Sequence, residues 1–166
     1  VFVFLAGTSA GLMAARKSRH ELAAFLCKRG VWLIFVEVFI ISTAWTFSPF
    51  DGVPELGGST LVILQVIWAI GASMIVLAGC QYLGTRICLI IGVAIVFGHN
   101  CLDGIWPAGQ LLGGTDPFWY SLHSWSSTVI GPVFVATAYP LLPWIGVMLL
   151  GYATAFIFEK PATERD

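Results

Sequence analysis

Apolar residues in this chain come in long unbroken runs separated by short polar stretches, with no sustained alternation of two. The first run, Val1 to Ala15, stops at Arg16-Lys17-Ser18-Arg19-His20-Glu21. A crossing of about 30 Å of hydrocarbon takes roughly 20 residues of helix, so this run reads as the end of a cut helix and the chain as incomplete at its N-terminus. A short amphipathic stretch, Leu22 to Cys27, leads to Lys28-Arg29-Gly30, and a second run from Val31 to Phe47 has Glu37 as its one charge. A turn-rich loop, 48–58, precedes a third run, Ser59 to Gly79, which carries no charge and one amide, Gln65. The fourth run, Ile87 to Trp106, is apolar to Gly98 and then turns polar at His99-Asn100-Cys101-Leu102-Asp103. After a Gly/Pro/Ser-rich loop, 107–127, an uncharged stretch from Val129 to Phe158 is interrupted by Pro132, Pro140 and Pro143. Proline suits a first helical turn, which predicts a regular helix from about Pro143. Tyr139-Pro-Leu-Leu-Pro-Trp144 before it reads as irregular backbone, tolerated at membrane depth only against protein or water, and so as a candidate cavity wall.

The expected fold class is therefore all-α: one multi-pass transmembrane helical bundle over residues 1–166, with five hydrophobic segments near 1–15, 31–47, 59–79, 87–106 and 134–158. Composition agrees, since 58% of residues are hydrophobic and 10% charged where soluble domains run near 25% charged. Threading the segments alternately puts 16–30, 80–86 and 159–166 on one side, and these stretches hold all 8 Lys and Arg residues. The loops 48–58 and 103–128 hold none, and carry Asp51, Glu55, Asp103 and Asp116. By the positive-inside rule the basic side is expected to be cytoplasmic, in a bacterial inner membrane. No basic stripe interleaved with aromatics points to nucleic acid. The 4 cysteines show no spacing for a metal site, so no metal is expected.

Candidate chemistry lies at the polar interruptions. Glu37 sits six residues into its run, where an ionisable group is costly and faces a partner inside the bundle; a structural hydrogen bond explains it as well as a site does. His99, Asn100 and Asp103 form the densest polar cluster. On a helix His99 and Asp103 would share a face four residues apart, and a carboxylate beside an imidazole can hold it as a base; the alternative is a helix that ends at Gly98. An interfacial aromatic belt explains His123 with Trp119, Tyr120 and Trp125. Arg16, Lys17, Arg19, Lys28 and Arg29 could hold phosphates as readily as anionic lipid, although topology alone accounts for them. Gly7 and Gly11 make a small-residue face for close helix packing.

Phe2 to Gly11, Lys28-Arg-Gly-Val-Trp-Leu33 with Glu37, Leu64 to Ala69, Gly98-His-Asn-Cys-Leu-Asp103 and Pro140 to Met148 stand in an order that resembles the bacterial heparan-α-glucosaminide N-acetyltransferase-like membrane proteins. The resemblance implies a membrane acyltransferase that moves an acetyl group from cytoplasmic acetyl-CoA, or another acyl-CoA, to an amino sugar or similar acceptor. It places the family's catalytic histidine on a helix ahead of the Gly7-Thr8-Ser9 stretch, so that role is not carried over to His99. Arg16, Lys17 and Arg29 are then candidates for the CoA phosphates, and His99, Asn100, Asp103 and Glu37 for the catalytic groups. A transporter or channel would use Glu37, Gln65, His99 and a proline-broken helix equally well, and a non-enzymatic scaffold would use the glycine and aromatic faces. The partners implied are the bilayer, acyl-CoA and the acceptor; a homo-oligomer is compatible with these features.

Overall fold

The computed structural model describes residues 1–46, 52–54, 57–105 and 116–158. Asp51, Glu55, Trp106, Lys160, Arg165 and the expected cytoplasmic stretch 159–166 lie outside the described residues. The protein is mainly helical. Helix α1 (Phe2–Ala14) is followed by α2 (Arg19–Phe35), a π-helical segment (Val36–Ile41) and a short α3 (Ser42–Thr46). Strand β1 (Thr60–Leu64) leads into α4 (Val66–Cys80), and α5 (Thr85–Gly98) follows. A hairpin, β2 (Ser126–Ile130) and β3 (Val133–Thr137), precedes α6 (Leu141–Thr154). With their 3-10 extensions, Val66–Leu83, Thr85–Leu102 and Leu141–Phe158 are each long and apolar enough to cross a membrane. The chain is a membrane protein.

Two glycine contacts set the bundle. Gly7 of α1 rests on the Met148 carbonyl of α6, and Gly151 of α6 on the Phe4 carbonyl of α1, so both backbones approach without a Cβ between them. Gly30 of α2 and Gly71 of α4 face each other in the same way: a Cβ on Gly30 would stand 2.5 Å from the Gly71 oxygen. Val3, Ala10, Leu22, Leu26, Leu77, Cys88, Met148 and Leu149 fill the interior between these contacts. The basic end is tied by Gln81 Nε2, which donates to the Arg19 carbonyl at 3.1 Å.

Helix α2 starts earlier than the hydrophobic pattern implies. Ser18 and Glu21 form a reciprocal capping box, with Glu21 Oε2 accepting from the Ser18 N–H at 2.9 Å. This fixes the helix start at Arg19, and Lys28 and Arg29 are part of the helix rather than of a connecting stretch. Ser18→Ala is expected to lower the thermal midpoint by about 2–4 °C, read by circular dichroism in detergent, while Ser18→Asp leaves it nearly unchanged.

A three-stranded sheet departs from the all-helical expectation, while the class remains mainly α. Its order is β1-β3-β2, β1 parallel to β3 and β2 antiparallel to it. The run from Ser59 thus divides at Gln65 into strand and helix, and the stretch from 134 begins as a strand. Thr60-Leu-Val-Ile-Leu64 and Val133-Phe-Val-Ala-Thr137 are rich in β-branched residues, and Gly131 at φ 59° turns the hairpin before Pro132. Pairing satisfies their backbone groups, and the sheet sits where α4 and α6 begin.

Candidate active site beside the sheet

Helix α5 ends at Gly98, and His99–Leu102 continues as a 3-10 turn. With three residues per turn, positions four apart no longer align, so Asp103 does not share a face with His99 as a continuous α-helix would require. Asp103 instead meets His123: Nε2 of the imidazole lies 2.9 Å from Asp103 Oδ1. A carboxylate only accepts, so His123 donates here. The His123 side chain is 3% exposed and that of Asp103 70%, which makes a buried imidazole the anchor of an accessible carboxylate. Asp103 Oδ2 has no hydrogen bond among the described residues. The ring of His99 stands edge-on to that of His123 at 6.3 Å. Its Nδ1 lies 3.1 Å and 3.0 Å from the Ile95 and Val96 carbonyls, so Nδ1 carries the proton and Nε2 is the basic nitrogen of the neutral ring. Asn100 is exposed beside them.

Asp103, His123, Ser124, Trp125 and Pro140 line a cleft of about 560 Å³. Trp125 and Pro140 also border a second cleft of about 550 Å³ with Ala138, Tyr139, Pro143 and Trp144. The proline-broken stretch is thus a cavity wall, and Tyr139 and Trp144 pack at 5.8 Å along it. The irregular part is short, because α6 already begins at Leu141. The aromatic-belt reading of His123 missed its contact with Asp103. The two residues are 20 positions apart, and no local spacing signals such a pair.

Glu37 has a different setting. It is 1% exposed, and its Oε2 accepts from the Trp68 N–H at 2.9 Å, in the first turn of α4, where Gln65 provides no side-chain cap. A carboxylate from α2 thus caps α4 across the bundle, where the helix dipole favours negative charge. The π-helical turn that carries Glu37 is held by Ser42, whose hydroxyl donates to the Glu37 carbonyl at 2.9 Å and accepts from the Ile63 N–H at 3.1 Å. Glu37 is not among the residues lining the aromatic clefts. Glu37→Gln keeps an acceptor for Trp68 and is expected to stay near wild-type stability. Glu37→Leu leaves that N–H without one, a loss of about 1–3 kcal/mol measurable by denaturant unfolding.

The basic residues are spread along α2 rather than gathered. Arg16 and Lys17 lie in the turn before the helix, while Arg29 stands ten residues beyond Arg19, about 15 Å up the helix at 1.5 Å per residue. Among the described residues no group of His, Cys, Asp and Glu is placed to hold a metal ion.

No curated protein and no solved structure matches the chain. One family does, the heparan-alpha-glucosaminide N-acetyltransferase catalytic family, and the match runs over residues 1–166. With apolar spanning helices and a polar cleft at their ends, the chain belongs to the heparan-α-glucosaminide N-acetyltransferase catalytic family.

Proposed function

We propose that this acyltransferase-family chain transfers an acetyl or other acyl group from acyl-CoA to an amino sugar, and that the Asp103–His123 cleft receives the acceptor. The observation that carries this reading is the exposed Asp103 carboxylate, anchored by a buried imidazole at 2.9 Å in a cleft walled by Trp125, Tyr139 and Trp144. A carboxylate binds an ammonium or sugar hydroxyl, and aromatic rings pack against the apolar face of a pyranose. In the reaction the acceptor nitrogen attacks the acyl carbonyl, a C–N bond forms, and the C–S bond breaks. The CoA thiolate leaves with the electron pair. The proton shed by the amine needs a base, and Asp103 takes it first, with His99 Nε2 as the nearby stronger acceptor. His123 is a positioning residue that fixes the carboxylate. Arg16, Lys17 and Arg29 would meet the CoA phosphates on the basic side, which the positive-inside rule makes cytoplasmic.

The test is acetyl-CoA-dependent acetylation of glucosamine by the full protein in sealed vesicles, with free CoA and acetylated product measured together. Stoichiometric release of both is expected. Glucosamine flux without donor consumption would instead establish transport and overturn the reading.

A further inference from the structure

The register of α2 against α4 places two cations where a spanning helix rarely carries any. The helices run antiparallel, with Arg19 against Gln81 at one end and Gly30 against Gly71 further along. Between these pairs Lys28 and Arg29 fall level with Ala72 and Ser73, near the middle of the Val66–Leu83 span. Both are exposed. Lys28 is two positions from Leu26 and two from Gly30, about 200° round the helix from each, so it points away from α4. Among the described residues neither cation has a carboxylate partner. Snorkelling serves side chains near helix ends, whereas these two sit at mid-span. Intramembrane cations face water or a counter-charge, and the outer face of α2 is therefore in contact with one or the other.

Arg16, Lys17 and Arg19 are exposed at the start of the same helix, which gives an electropositive approach from that end. Above Lys28 the same face carries Trp32, Phe35 and Phe39, stacked at 5.4 Å and 4.7 Å between successive centroids. A bilayer lipid keeps its phosphate at headgroup level, about 15 Å from the midplane, too far to neutralise Lys28 and Arg29. We propose that Lys28 and Arg29 form a mid-span anion site for the phosphate groups of a soluble ligand, which arrives through water along the outer face of α2 from the Arg16–Arg19 end. The site stands apart from the acyl-transfer reading, and its test contains no acyl donor.

Ala24 is exposed one turn below Lys28 on the same face. Ala24→Cys, in the full protein with its native cysteines replaced, keeps both cations and reports on the path. Sealed vesicles of zwitterionic lipid are treated with an anionic, membrane-impermeant thiol reagent, with Ile90→Cys on the exposed face of α5 as the lipid-facing control. Modification of Ala24→Cys is expected only from the side of Arg16, with Ile90→Cys unreactive. Inorganic pyrophosphate at about ten times its Kd should slow the modification about tenfold, and Lys28→Gln/Arg29→Gln should abolish that protection while the thiol stays reactive. An Ala24→Cys thiol as inert as Ile90→Cys would show a lipid-facing surface and overturn the proposal. Reactivity without pyrophosphate protection would overturn it as well, and protection seen only with anionic lipid in the bilayer would assign the cations to headgroups instead.

Discussion

Asp103→Asn is expected to reduce acetyl transfer by about 10²–10⁴-fold, the range associated with loss of a positioned acid–base group. The substitution is nearly isosteric and Asp103 is exposed, so thermal stability should hardly change. An amide retains an oxygen for the His123 Nε2–H but cannot accept the proton of an attacking amine. The loss should therefore fall on kcat more than on KM. Steady-state kinetics with glucosamine as the varied substrate separate the two. Wild-type turnover in Asp103→Asn would remove this carboxylate from the chemistry.

Gly30→Leu is expected to give the largest loss of stability. A single Cβ at this position would stand 2.5 Å from the Gly71 carbonyl oxygen and 2.7 Å from Ile75 Cγ1. Backbone cannot step aside as a flexible side chain can, so α2 and α4 must separate. Overpacking costs about 1–3 kcal/mol, a fall of about 2–12 °C in the thermal midpoint for a chain of this size. The consequence reaches beyond packing, because the same two helices carry Glu37 and the Trp68 N–H that it caps. Gly71→Leu opposes the same contact from the other side, with the Gly30 oxygen at 2.7 Å. The pair Gly30→Leu/Gly71→Leu should accordingly cost less than the two single effects added. Full additivity would mean that the glycines act at separate contacts.

Hydrophobic run length made the helical bundle readable, because lipid demands unbroken apolar stretches and leaves little room for other patterns. Gly7 and Gly11 pointed to close helix packing for the same reason, and α1 does pack on α6 through them. The sheet was harder to see: a fully apolar strand such as Thr60–Leu64 has no alternation to separate it from the helix that follows. The Gly131-Pro132 turn between β-branched stretches was the available signal for the hairpin. Ser18 and Glu21 likewise carried the helix-start signature that places Lys28 and Arg29 inside α2. In the candidate site, His99 and Asp103 stood out because polar residues at the end of an apolar run are costly. Their relationship was not legible, since it turns on α5 giving way to a 3-10 turn at His99. His123 could be found only in three dimensions, where the chain returns to Asp103 and buries the imidazole beside it.

The central claim is that Asp103 and His123 act as one unit on the acceptor, and a double-mutant cycle in the transfer assay tests it most directly. If His123 works only through the carboxylate it anchors, His123→Gln should slow wild-type transfer about 10–100-fold, the range for a residue that orients a functional group. It should then slow Asp103→Asn no further. Multiplication of the two effects in the double variant would contradict the account, since His123 would then contribute to transfer independently of Asp103.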